Sequence, residues 1–252
     1  MRFIIEMTGP IVDPRPRYCA AYHQVAREMS LPRIDEAEFW RLVRRGDPHG
    51  RWVPGAKPAQ VREFQQRFDQ AVEADEFIAR QREHDGVGEA LTRLRRHGEC
   101  QLVTNGANRL ARQALLDRLD LSVHFSVMRG LPDDQSGRVR VLKEMAEGED
   151  RVLIVCGSEE VTRAATQGGL VVSGVAAGAV VAARLARLGA SPVFASLAEL
   201  ADEVESGGER LVQAGLLPPK YHFDRNPFVT ADHAFASRAR GGSGSARGPR
   251  RR

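Results

Sequence analysis

After Asp85 the chain alternates short apolar runs with amphipathic stretches, and this alternation constrains its fold more than any other feature. A helical pattern over 87–96 ends at Gly98, the run 100–104 reads as a strand, and a helical pattern follows near 109–119. Next come the apolar segment 123–127, a helix at 141–146, a strand at 152–155, a helix at 160–166 and a strand at 170–172. Helices over 176–188 and 197–205, with a short strand at 192–194 between them, complete the series. Strand and helix units of this length build a mostly parallel sheet covered on both faces, the doubly wound, Rossmann-like α/β class. Ligands in such sheets gather outside the carboxyl ends of the strands, so the loops at Glu6, Thr104 and Cys156 are expected to converge.

The first part of the chain has a different texture. Residues 2–5 are an apolar run that leads to Gly9 and Pro10, the pattern of a buried strand delivering a tight loop. From 17 to 82, Tyr18, Tyr22, Val25, Ala26 and Met29 recur at helical spacing, followed by Phe39, Leu42 and Val43, then Val61, Phe64, Phe68 and Val72. The expected organisation is an α/β core made of residues 1–14 and 85–206 with a helical cap inserted at 15–84. Trp40, Phe64, Phe68 and Phe77 read mainly as the cap's own core. Trp52 lies in the Gly/Pro-rich loop 46–58, where contact with a ligand or partner and simple pinning of the loop are both open.

From 207 onward Gly, Pro, Ser and Arg accumulate, so 207–252 reads as an extended, basic, partly disordered tail. The formal net charge of +4 belongs to this end, because six arginines and no acidic residue lie from Ser237 to the terminus. Arg247, Arg250, Arg251 and Arg252 are candidates for contact with a polyanion, nucleic acid included, or an acidic protein surface, with improved solubility as the plain alternative. Cys19, Cys100 and Cys156 are far apart and show no metal-ligand or disulfide spacing, which fits a reducing cytoplasm. The opening run is too short for a signal peptide, and no run approaches the roughly 20 apolar residues that span a bilayer, so no membrane association is expected.

Four segments carry the chemistry, in order: Glu6-Met7-Thr8-Gly9-Pro10, then Val103-Thr104-Asn105-Gly106, then the basic residues Arg138 and Lys143, then Cys156-Gly157-Ser158-Glu159-Glu160-Val161. In that order and spacing the chain resembles the phosphoglycolate-phosphatase-like branch of the haloacid dehalogenase superfamily, from Arg2 to about Glu205. The resemblance implies a DxDGT-type loop after the first strand, a Thr or Ser ending the next, a basic residue before a helix (Arg138 aligning better than Lys143), and a GDSxxD-like loop. It also implies a magnesium-dependent phosphatase in which one aspartate attacks phosphorus, a second serves as general acid and base, and fourth-motif aspartates hold the metal.

Glu6, Thr8, Gly157 and Val161 stand in the places of those aspartates. A reacting carboxylate displaced by about 1 Å loses on the order of 100-fold in rate, and a threonine cannot replace a proton shuttle that contributes about 100- to 10,000-fold. Only Glu6, Glu159 and Glu160 remain as weak candidate metal ligands, so no cofactor is expected unless activity persists, in which case it is magnesium. Glu159 and Glu160 are better explained by their place at a helix start, and Thr104 and Asn105 fit either a residual phosphate pocket or a capped turn. Arg138 and Lys143 fit either an anion ligand or a solvated basic face. The leading expectation is a catalytically degenerate homologue that binds or scaffolds, through an unknown protein partner or a phosphate-bearing ligand. The rivals are a phosphomonoester hydrolase using Glu6 with substitute metal ligands, and a nucleic-acid-associated accessory protein.

Overall fold

Every residue from Phe3 to Glu6 is buried, which only a strand covered on both faces permits. The computed structural model describes residues 1–106, 108–213 and 215. In it β1 (Arg2–Glu6) is followed by the short β2 (Val12–Asp13), then by α1 (Arg15–Glu28), α2 (Glu36–Arg45), α3 (Pro58–Ala71) and α4 (Asp75–Ile78). Strand β3 (Arg82–Glu83) pairs antiparallel with β2, so a two-stranded ribbon closes the base of the helical insertion. The alternating block then runs α5 (Val87–Arg95), β4 (Glu99–Thr104), α6 (Arg109–Arg118), β5 (Met128–Gly130), α7 (Gln135–Ala146), β6 (Val152–Cys156) and α8 (Glu159–Gln167). It ends with β7 (Val172–Val175), α9 (Ala182–Arg187), β8 (Val193–Phe194), α10 (Leu197–Glu205) and α11 (Glu209–Gln213).

Six strands pair in the order β5-β4-β1-β6-β7-β8, every pair parallel, with helices between successive strands, as the doubly wound reading requires. The register places Glu6 beside Val103 and Ile5 beside Val155, so the ends of β1, β4 and β6 come level at one edge of the sheet. Side-chain caps fix where the helices begin: Asn108 accepts from the Ala111 N–H, Asp134 from Gly137, Ser158 from Val161 and Ser196 from Glu199. The insertion has its own apolar cluster, in which Tyr22 stacks on Phe39 at 4.2 Å and Phe64 on Phe68 at 5.9 Å.

Several boundaries differ from the sequence expectation, for identifiable reasons. Helix α7 begins at Gln135 rather than 141 because Asp134 caps it, which puts Arg138 inside the first turns instead of ahead of the helix. Residues 123–127 are no strand; a 3₁₀ turn occupies Ser122–His124 and pairing starts at Met128. The stretch 176–188 is helical only over Ala182–Arg187, since Gly178 lies against the backbone of Gly9, where an added Cβ would sit 2.7 Å from Gly9 Cα. The core also continues beyond 206: Leu211 of α11 is fully buried and Arg210 bonds Glu199 at 2.8 Å. Arg247, Arg250, Arg251 and Arg252 lie outside the described residues. Among the described residues no helix is long and apolar enough to cross a membrane.

Candidate functional site

Glu6 sits at the carboxyl end of β1 with no exposed surface, and each oxygen of its carboxylate is already engaged. Oε1 accepts from Asn105 Nδ2 at 3.0 Å; Oε2 accepts from the backbone N–H of Gly157 at 2.8 Å and of Ser158 at 3.0 Å. Ser158 is the N-cap of α8, so the carboxylate rests against a helix N-terminus that favours negative charge. Burial nonetheless dominates and pushes its pKa up from 4.5 to about 7 against these donors. The extra methylene of glutamate carries the carboxylate across the loop to a role as a backbone acceptor.

The other expected residues fall into two groups. Asn105 reaches the site through its side chain rather than its backbone, and its Nδ2 also approaches Ser158 Oγ at 3.2 Å. Thr104 is buried one residue before, with Oγ1 unbonded among the described residues. Thr8, Arg138, Ser158 and Glu160 line a cleft of about 490 Å³ together with Glu6 and Asn105. Lys143 is exposed on α7 and does not line that cleft. Glu159 is held by Arg184 and by Arg163 at 3.3 Å, which removes it from the site.

Magnesium, which the resemblance in the four motifs implies, does not fit these residues. Three N–H donors converge on Glu6, an array that suits an anion and opposes a cation. Among the described residues no group of three or more His, Cys, Asp or Glu is placed to hold a metal ion. Position 157 is closed to a replacement carboxylate as well. A Cβ there would lie 2.6 Å from Pro10 Cδ and 3.0 Å from both Gly9 Cα and the Thr8 carbonyl oxygen. The loops after β1 and β6 thus touch backbone to backbone, and only glycine fits at the contact.

Further charge in the cleft comes from residues the motifs did not mark. Arg17 of α1 is 4% exposed and Arg112 of α6 is 2% exposed, and both lie in the cleft wall. Arg112 Nη2 bonds the two Glu73 oxygens at 2.9 and 2.8 Å, while Arg17 Nη1 stands 3.7 Å from Glu73 Oε1, an ion pair too long for a hydrogen bond. Burial lowers the pKa of the Arg17 guanidinium. The legible sign was a charge on an apolar stripe: Arg17 stands four residues before buried Ala21, and Arg112 three and four before buried Leu115 and Leu116. Trp52 is buried too, packed edge-on to Phe39 at 5.2 Å and Phe68 at 5.4 Å, so loop-pinning is its observed role.

A parallel sheet of this order, with a helical insertion after the first strand and the site at the carboxyl ends, is the fold of haloacid-dehalogenase-like hydrolases. Solved structures with this fold include a haloacid dehalogenase-like hydrolase from Streptococcus pneumoniae, at 14% identity and TM-score 0.63, matching 81% of this chain and 97% of that one. A predicted phosphoglycolate phosphatase from Haemophilus somnus matches at 18% identity and TM-score 0.59, over 80% of this chain and 96% of its own. A protein assigned as a β-phosphoglucomutase from Thermotoga maritima matches at 22% and 0.57, over 81% and 98%. The resemblance drawn from the four motifs therefore holds at the level of the fold. No protein-family model and no curated protein matches the sequence.

Proposed function

We propose that this protein is a catalytically inactive relative of the haloacid-dehalogenase phosphatases that acts by binding: its cleft takes an anionic, phosphate-bearing ligand without a metal, and a cap over the cleft serves recognition. One observation carries the reading. The carboxylate in the nucleophile's place is consumed by Asn105, Gly157 and Ser158, so neither oxygen is free to attack phosphorus or to ligate magnesium. With Thr8 in place of the general acid and base, both halves of the reaction lack their group. Arg17, Arg112 and Arg138 line the same cleft and offer guanidinium donors, beside Glu73, which pairs with the first two, and the carboxylates of Asp69, Asp133 and Glu160. A hydrolase working through Glu6 is disfavoured by the same bonds.

The test is an assay against a broad panel of phosphate esters with magnesium, with Glu6→Ala as the control for contaminating activity. Turnover stays below about 1 per second, where working enzymes begin. Calorimetry with inorganic phosphate in the presence of a chelator is expected to show binding. Turnover above that rate that vanishes in Glu6→Ala, or phosphate binding only when magnesium is supplied, overturns the proposal.

A further inference from the structure

Helix α1 turns one face to the cleft through Arg17 and Tyr18 and another to a separate groove of about 670 Å³, which shares no lining residue with the cleft. Arg15, Cys19, His23 and Arg27 succeed one another at intervals of four along that second face, so the two arginines stand about 18 Å apart along the helix. Arg33, before α2, joins Arg80, just after α4, and Arg82, in β3, in the wall. Cys19 and Phe77, 3% and 2% exposed, lie at its base.

Charge in this groove is not balanced. Among the described residues that line it, five arginines stand against one carboxylate, Glu36, which lies 3.4 Å from Arg15 Nε. Arg27, Arg33, Arg80 and Arg82 are exposed and have no ion pair or side-chain hydrogen bond among the described residues. The carboxylates nearby in sequence do not offset them. Asp13 and Asp35 accept from the backbone N–H groups of Arg15 and Glu38, at 2.9 Å each, while Glu28 and Glu83 are exposed and do not line the groove. Like charges gathered without an internal counterion repel one another in the folded state, and a partner of opposite charge relieves that repulsion.

Shape and lining select the occupant. Guanidinium forks spread over about 18 Å suit an extended chain of repeated negative charge better than one compact anion. A single-stranded nucleic acid stacks its bases on aromatic rings, and the ring that lines this groove, Phe77, is buried with Arg80 lying over it at 5.8 Å. Carboxylates need no such platform and meet guanidinium groups through two parallel bonds. About six extended residues, at roughly 3.3 Å each, cover the distance.

We propose that this groove binds an acidic peptide segment of a partner protein, extended along α1, with its carboxylates held by Arg27, Arg33, Arg80 and Arg82. The proposal is independent of the anion site in the cleft.

The probe is a fluorescently labelled peptide of six glutamates, titrated with the full chain and followed by anisotropy. A peptide of six glutamines and a thymidine heptanucleotide carrying six phosphates are the comparisons. The acidic peptide is expected to bind, to weaken as salt rises and to bind more tightly than the oligonucleotide, while the neutral peptide does not bind. Arg27→Gln, Arg33→Gln and Arg80→Gln together are expected to weaken the acidic peptide by about tenfold or more, since each exposed pair contributes about two- to fivefold. Because these guanidinium groups have no internal ion pair to lose, that variant is expected to melt at or above the wild-type temperature, which separates lost binding from lost fold. Arg41→Gln, Arg62→Gln and Arg67→Gln together remove the same charge from residues that do not line the groove, and affinity is expected to stay within about twofold of wild type. None of these readouts involves the cleft, so phosphate binding there stands or falls separately. Absence of acidic-peptide binding, binding indifferent to the groove variant, equal weakening by the control variant, or tighter binding of the oligonucleotide overturns the proposal.

Discussion

Replacing Glu6 by glutamine tests whether burial or hydrogen bonding controls the centre of the site. In the folded protein the Glu6 pKa is raised from 4.5 to about 7, so the native state holds this proton more tightly than the unfolded chain does. The sign follows directly: stability from this group is fully present below pH 4.5, declines as pH rises through about 7, and is absent above that. At 1.36 kcal/mol per tenfold difference in proton affinity, the loss between pH 4.5 and 8 is about 3 kcal/mol. Glutamine is uncharged throughout and can keep the contacts. Its oxygen accepts from Gly157 and Ser158, and its NH₂ meets Asn105 Oδ1, which has no partner at present, once that amide turns over. Glu6→Gln is therefore expected to melt close to wild type at pH 5 and about 6–12 °C higher at pH 8, at roughly 2–4 °C per kcal/mol for a domain of this size. The assay is thermal unfolding of both proteins from pH 4.5 to 8.5 in phosphate-free buffer, where all other titrations cancel in the difference. Parallel curves would refute the reasoning, because they would mean that the three donors keep Glu6 ionised across the whole range.

Four further outcomes are expected. Tyr22→Phe removes a hydroxyl that donates to the Trp52 carbonyl at 3.0 Å and accepts from the Ile34 N–H at 2.8 Å, and urea unfolding should record a loss of about 1–3 kcal/mol. Gly157→Ala forces a Cβ against Pro10 and should cost about 1–3 kcal/mol by the same measurement, partly recovered in a Pro10→Ala background. The triple reversion Glu6→Asp, Thr8→Asp, Gly157→Asp should leave phosphatase assays at background and lower the melting temperature, since position 157 has no room for the new side chain. If the arginine tail binds polyanions, affinity for RNA or DNA should fall with a log–log salt slope of about −3 to −5 and vanish on deleting residues 241–252, with the melting temperature unchanged.

The sheet was legible because its signal is repeated: each strand-and-helix unit of the alternating block confirms the others, and errors of a few residues leave strand order intact. Boundaries failed where one contact outside the segment decides them. Asp134 starts α7 six residues before its apolar pattern does, and Gly178 holds a helical-looking stretch open because it must lie on Gly9. The motif residues were legible as positions but not as roles. Sequence marks Glu6 as a misplaced nucleophile, whereas its three hydrogen bonds depend on where Asn105 and the loop after β6 come to rest. Arg17 and Arg112 were missed because a helical arginine reads as solvated by default, and only tertiary packing shows that the apolar stripe carries them inward.

The departures from the phosphatase pattern are also physically coupled. Aspartate at position 6 would be shorter by one methylene and would withdraw its carboxylate from the Gly157 and Ser158 N–H groups that Glu6 now satisfies. Those two donors at the start of α8 would be left unpaired, at about 1–3 kcal/mol each. Aspartate at 157 could not relieve them, since its Cβ meets Pro10, Gly9 and Thr8 before its carboxylate is placed. Pro10 in turn stands in the same loop whose Gly9 takes φ +100° and packs on Gly157 and Gly178. Glu6 and Gly157 are thus mutually accommodated: the glutamate satisfies the start of α8, and the glycine leaves the space that Pro10 fills. The three convergent N–H groups are spent on Glu6, so they tie the loops after β1, β4 and β6 together.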